Sequence, residues 1–229
     1  PVLADFDGDG LLDLAVTGTR EIDEGSYAIL GEVYWSRNRG DGTLEEATVL
    51  RPVELAGGVL AADLDRDGDA DMVVRDYHSG EDGTRSAVAV LLNRGDGTFL
   101  DGTSYPVGLR SMAPMAADLD GDGALDLVVL NELSNDLSVL WNGGDGTYRP
   151  MEPLPTGISG EARGLRADAA DVDRDGDTDL VVAASYDDPA PGEIAVLRTE
   201  GDGTFRTTVR TDVSGYLYTL RTADLNADG

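Results

Sequence analysis

Cysteine and lysine are both missing from the 229 residues, and histidine occurs once, at His78. Without cysteine there are no disulfides and no thiolate ligands. A single histidine cannot build the imidazole sets that zinc or copper sites use, and no nucleophile–base pair is legible around it. No apolar run reaches the ~20 residues of a membrane-spanning helix. No 3.6-residue apolar period of useful length marks an amphipathic helix. Positive charge is scarce: 17 basic residues, all arginine, stand against 45 acidic ones, for a net charge of −28. That balance argues against a nucleic-acid partner. Apolar residues make up 41%, which is adequate for a core, so the acidity is not that of a disordered tail.

The acid is concentrated in four nearly identical stretches: residues 5–13 (DFDGDGLLD), 63–71 (DLDRDGDAD), 118–126 (DLDGDGALD) and 171–179 (DVDRDGDTD). Each has aspartate at positions 1, 3, 5 and 9 and glycine at position 6. A fifth begins at residue 224 (DLNADG), with Asn226 at position 3. Carboxylates at alternate positions repel unless a cation sits among them. Ca²⁺ takes about 6–8 oxygens in flexible geometry, whereas Mg²⁺ demands a stricter octahedron and keeps its waters. The glycine at position 6 permits a sharp turn. Position 7 varies (Leu11, Asp69, Ala124, Asp177), so it is read as a backbone-carbonyl ligand whose side chain is free to change.

The candidate metal ligands are therefore Asp5, Asp7, Asp9, Leu11 and Asp13; Asp63, Asp65, Asp67, Asp69 and Asp71; Asp118, Asp120, Asp122, Ala124 and Asp126; Asp171, Asp173, Asp175, Asp177 and Asp179; and, in the fifth stretch, Asp224, Asn226 and Asp228. The expected cofactor is Ca²⁺, one per complete loop, with a fifth at the C-terminal stretch. An EF-hand is excluded: it needs a bidentate Glu at position 12 and flanking helices. Here position 12 is Val16, Val74, Val129 and Val182, and a β-rich run follows each loop.

A second marker, Gly-Asp-Gly-Thr, recurs at residues 40–43, 95–98, 144–147 and 201–204. Asp-Gly between alternating apolar runs is a strong hairpin signal. Each repeat then parses into four strands, A to D. In the second repeat these are about 58–63, 71–77, 86–93 and 98–107, with the acidic loop between A and B and the GDGT turn between C and D. The acidic loops start at residues 5, 63, 118, 171 and 224, at periods of 58, 55, 53 and 53, and four strands per unit at this period predict an all-β propeller of four-stranded blades. The expected blades are about 1–57, 58–110, 111–163 and 164–215 of one domain, with a further blade starting over 216–229.

DLDGDGALDLVVL followed by NGGDGTY resembles the FG-GAP/VCBS repeats, calcium-loop propellers related to the integrin α-subunit head. The resemblance covers essentially the whole chain. It implies an extracellular propeller, commonly of seven blades, with Ca²⁺ in the A–B loops. Residues 1–4 and 216–224 both read as strand A, so a closed ring of four would give one slot two claimants. The chain is expected to belong to a larger ring, with further blades from the same or another chain.

In an A-B-C-D meander the acidic loops and GDGT turns share one face, and the variable B–C loops lie on the other. Binding usually resides in variable loops on a rigid scaffold, so a protein or glycan ligand is expected on the B–C face. Arg39, Gly40 and Asp41, like Arg94, Gly95 and Asp96, spell the integrin-ligand tripeptide. Blades three and four replace the Arg with Gly143 and Glu200, so it is incidental to the turn. Trp35 aligns with Val90, Val139 and Val196 and is assigned to the core. Trp141 aligns with Arg37, Leu92 and Arg198; a position that tolerates charge predicts an exposed ring that could stack on a sugar or partner. The expected role is calcium-stabilised binding, adhesion or scaffolding outside the cell, without catalysis. The alternative is a propeller domain, catalytic or not, of a secreted polysaccharide-acting enzyme or toxin-complex protein.

Overall fold

The computed structural model describes residues 1–21, 29–76, 86–158, 162, 164–186, 191–215 and 217–223. The C-terminal candidates Asp224, Asn226 and Asp228, His78 and most of the B–C loops lie outside the described residues. Among the described residues all regular structure is β.

The first sheet contains β1 (Val2–Ala4), β2 (Asp13–Glu21), β3 (Ile29–Ser36) and β4 (Thr48–Leu50). The second contains β5 (Ala56–Ala62), β6 (Asp71–Asp76), β7 (Ser86–Leu91) and β8 (Thr103–Val107). The third has β9 (Met115–Ala117), β10 (Asp126–Asn131), β11 (Asp136–Asn142), β12 (Tyr148–Pro150) and β13 (Leu154–Pro155). The fourth has β14 (Gly164–Ala170), β15 (Asp179–Ser185), β16 (Gly192–Thr199) and β17 (Phe205–Val213). Every sheet is an antiparallel meander in chain order, each strand paired with the next, except that β13 returns to pair with β11. These are the four-stranded units of β-propeller blades, and the ring is not closed by the four sheets.

The fourth strand is the least regular. In the second sheet a lone bridge, Asn93 to Phe99, precedes β8, so the expected strand at 98–107 is interrupted. In the third sheet it is split into β12 and β13, which both pair with β11. Pro150, Pro153 and Pro155 fall in this stretch; proline has no N–H for a ladder and is confined to edges and breaks.

The inner strands β6, β7, β10 and β15 are buried at every residue, and so on both faces. Side chains therefore alternate between the preceding and the following sheet. Met72 and Val74 join Phe6, Ala15, Val33 and Trp35 of the first sheet. Val73, Val88 and Val90 face the other way, onto Leu127, Val129, Leu140 and Tyr148. Val139 and Leu119 repeat this against Leu180, Val182 and Leu197. Successive sheets thus share one apolar seam per pair. Trp35 lies in the first seam at 8% exposure, as its register predicts.

Candidate metal centres

Each acidic loop leaves the end of a first strand and re-enters the sheet at the aspartate that starts the second. The chain reverses through two left-handed residues. Position 6 is glycine throughout, with φ of +87°, +95°, +84° and +99° at Gly10, Gly68, Gly123 and Gly176. Position 4 is also left-handed, and there glycine (Gly8, Gly121) alternates with Arg66 (φ 65°) and Arg174 (φ 67°).

The carboxylates organise the loop even before any ion is considered. Position 1 accepts backbone N–H groups from across the loop: Gly10 donates to Asp5 at 2.8 Å, Gly68 to Asp63 at 3.1 Å, Gly123 to Asp118 at 3.0 Å and Gly176 to Asp171 at 3.0 Å. Positions 3 and 5 each accept the N–H two residues on, as with Asp67 to Asp65 and Asp69 to Asp67. Position 9 is buried and bridges two segments. Asp71 accepts Leu64 N–H at 2.7 Å on one oxygen and Asn93 N–H at 2.8 Å on the other. Asp13, Asp126 and Asp179 repeat both contacts.

Three carboxylates per loop converge, with one oxygen from each within 4.8 Å of the others. The groups are Asp5, Asp7 and Asp13; Asp63, Asp65 and Asp71; Asp118, Asp120 and Asp122; and Asp171, Asp173 and Asp179. Position 5 enters the group only as Asp122. Asp9, Asp67 and Asp175 stay outside it, although all four position-5 aspartates hold the N–H of position 7. The position-7 side chain, which varies in type, packs against the neighbouring glycine turn in loops 1, 2 and 4. Leu11 packs over Gly40, Asp69 over Gly95 and Asp177 over Gly201, and a β-carbon on Gly95 or Gly201 would collide with the carboxylate. Ala124 is buried.

The electrostatics are those of acids without enough positive charge. Burial, reinforced by Asp65 and Asp67, pushes Asp71 up to about 6 despite its two N–H donors. Burial with Asp120 and Asp122 does the same to Asp126. Burial also raises Asp7 and Asp65. Asp63 Oδ1 is buried without a hydrogen-bond partner. A hard cation with oxygen ligands fits this donor set: convergent carboxylates, no soft ligand, and an oxygen with lone pairs to spare.

The GDGT turns sit against the loops. Within each turn the aspartate accepts both the N–H and the hydroxyl of the threonine two residues on: Thr43 to Asp41, Thr98 to Asp96, Thr147 to Asp145 and Thr204 to Asp202. The threonine hydroxyl is the main cause that holds these four carboxyls below the usual range. In the two Arg-Gly-Asp tripeptides the aspartate is thus committed to its turn. Arg39 pairs with Glu45, and Arg94 with the Phe99 carbonyl.

An asparagine at the end of the third strand is a residue that sequence reasoning missed. Asn93 Nδ2 donates to the Phe6 carbonyl of the preceding sheet at 2.8 Å and to Ala70 O at 2.9 Å. Asn142 does the same to Leu64 O and Leu125 O. The signal was present: Asn38, Asn93 and Asn142 each stand two residues before a GDGT turn.

Trp141 requires a correction. Its ring is partly buried, stacked on Phe205 of the next sheet with centroids 6.3 Å apart, and its edge lies under Gly203. Its column tolerates charge because it faces the acidic loop: Arg37 lies against Asp7, and Arg198 against Asp173 and Asp175. Trp141 also borders a cavity of about 240 Å³ with Asn142, Gly143, Thr147, Tyr148 and Arg149, at the turn end of β11.

A further carboxylate cluster lies on the first sheet. Glu32, 1% exposed, accepts Tyr34 Oη at 2.5 Å, Arg51 Nε at 2.7 Å and Arg20 Nε at 3.2 Å. Tyr34 first, then the two arginines, hold it down at about 2 against the cost of burial.

Four blade-like sheets, each with an acidic A–B loop backed by a glycine turn, define a β-propeller-like repeat module with candidate metal centres. The FG-GAP-like repeat family matches at residues 3–74, 75–129, 118–182 and 171–229, and the chain belongs to that family. No curated protein matches it. No helix among the described residues is long and apolar enough to cross a membrane.

Proposed function

We propose that the chain is an extracellular, calcium-clipped propeller module that binds or scaffolds other molecules and carries no catalysis of its own. The observation behind this reading is the recurrence of a converging acid triad at the same loop of every sheet. Positions 1, 3 and 9 would hold the ion in loops 1, 2 and 4, and positions 1, 3 and 5 in loop 3. Bound there, Ca²⁺ supplies positive charge and oxygen coordination, nothing more. The chain supplies a pre-bent loop, through its left-handed residues, and a buried aspartate that ties the loop to the third strand.

One site per sheet, made from one loop, fits a structural clip better than a shared reaction centre. Affinities of about 10⁻⁴–10⁻³ M suit extracellular modules, and metal binding is then coupled to folding. The family match and the acidic surface support an extracellular setting. The variable B–C loops remain the proposed place for a protein or glycan ligand. Calorimetric titration of metal-free protein is expected to show about four Ca²⁺ bound per chain, with Mg²⁺ much weaker. A stoichiometry of zero, or turnover of an acidic glycan, contradicts the reading.

A further inference from the structure

The four loops share a ligand pattern but not a charge environment. Two columns of the repeat deliver guanidinium groups to them. The first is the residue before the third strand's terminal Asn or Thr. It is Arg37 in the first sheet, against Asp7, and Arg198 in the fourth, against Asp173 and, at 3.2 Å, Asp175. In the second and third sheets it is Leu92 and Trp141. The second column is position 4 of the preceding loop. Arg66, left-handed in loop 2, turns away from its own acids and reaches loop 3. There its Nη2 donates to Asp122 Oδ1 at 2.9 Å and to Asp122 O at 3.0 Å. The same position is Gly8 before loop 2 and Gly121 before loop 4.

Loop 2 receives from neither column, since Leu92 and Gly8 stand in the two places. Among the described residues, no ion pair reaches Asp63, Asp65, Asp67, Asp69 or Asp71. Loop 2 also carries a fifth aspartate, Asp69, at position 7. Its Asp63 Oδ1 is buried without a hydrogen-bond partner; Asp7 Oδ2 of loop 1 is also buried without one, but it lies against Arg37.

We propose that Arg37, Arg198 and Arg66 are tethered counter-ions of loops 1, 4 and 3, so that loop 2 is the tightest of the four cation sites. This rests on the metal reading above. A guanidinium beside a carboxylate competes with a divalent ion for the same oxygens and repels it. The three arginines are 38–44% exposed, so screening limits the effect to about tenfold in affinity per site. The arrangement has a counterpart without metal: loops 1, 3 and 4 keep part of their compensation, and loop 2 has none among the described residues.

The test is Ca²⁺ titration of the metal-free chain by calorimetry, in wild type, Asp65→Asn, Arg37→Leu, Arg198→Leu and Arg66→Gly. Each replacement is one the repeat already uses at that place: Leu92 in the first column and Gly8 or Gly121 in the second. In wild type one ion should bind about tenfold more tightly than the others. Asp65→Asn should remove that class, and each arginine variant should move one further ion into it. With chelator present, Arg37→Leu and Arg198→Leu should lower the thermal midpoint; at saturating Ca²⁺ they should not. Calcium binding left unchanged by all three arginine variants overturns this proposal and leaves the metal reading standing. An Asp65→Asn chain that keeps its tightest ion also overturns it. Isotherms flat for every chain overturn both.

Discussion

Glu32 is the residue at which charge and fold are most directly tied. Its folded value of about 2 lies below the 4.5 of an ordinary glutamate, so the folded state releases this proton more readily than the unfolded chain. The ionised carboxylate therefore stabilises the fold fully above about pH 4.5, and that contribution is lost as pH falls toward 2. The thermal midpoint of wild type should exceed that of Glu32→Gln by a constant margin above about pH 5. The margin should shrink as pH falls below about 4.5 and close toward pH 2, where the folded carboxyl is protonated too and resembles glutamine. A margin independent of pH between 5 and 2 would contradict the assignment. At the same scale, the loop's glycine at position 6 was legible because all four copies retain it. The left-handed position 4 was not, since Arg66 and Arg174 adopt it at a cost that only the coordinates reveal. Trp141 was misplaced for a related reason: alignment shows which residue types a column accepts, not that the acidic loop is what accepts arginine there.

At the scale of the element, the loop, the GDGT turn and the third strand form one hydrogen-bonded unit. The aspartate at position 9 joins the first and last of these, and the strand-end asparagine carries the connection to the preceding sheet. Asn142→Ala should cost about 1–3 kcal/mol, because the buried Leu64 carbonyl loses this donor from the next sheet, while Leu125 O keeps the Tyr148 hydroxyl. Thr199→Ala should cost less, since among the described residues its hydroxyl donates to Thr178 O of its own sheet. Urea denaturation in chelator reads both without any metal contribution; equal losses would mean that the inter-sheet bond adds nothing. The strand order and turns of this unit could be read from the sequence, because period-two apolar alternation and Asp-Gly turns act over short range. The broken fourth strand could not, because an edge strand has one partner, so prolines and turn residues break it without disturbing its neighbours.

At the scale of the whole molecule, the sheets are held by seams, and position 2 of each loop is a plug for the next seam. Phe6, Leu64 and Leu119 are fully buried there, while Val172 on the fourth sheet is 47% exposed. Leu64→Ala should therefore cost about 2–5 kcal/mol and Val172→Ala less than about 1 kcal/mol; urea midpoints that moved equally would refute the seam assignment. The seam pattern was foreseeable from strands apolar on both faces, but which sheet each residue met was not. The central claim is that an ion in each acidic loop clips the blade together, because unneutralised, buried carboxylates oppose the fold. The direct measurement is the thermal midpoint of the chain in EGTA, then with Ca²⁺ restored, with Mg²⁺ as control. The account predicts a midpoint that falls sharply in EGTA, rises progressively with Ca²⁺ into the millimolar range, and responds little to Mg²⁺. A midpoint identical in EGTA and in millimolar Ca²⁺ would contradict it.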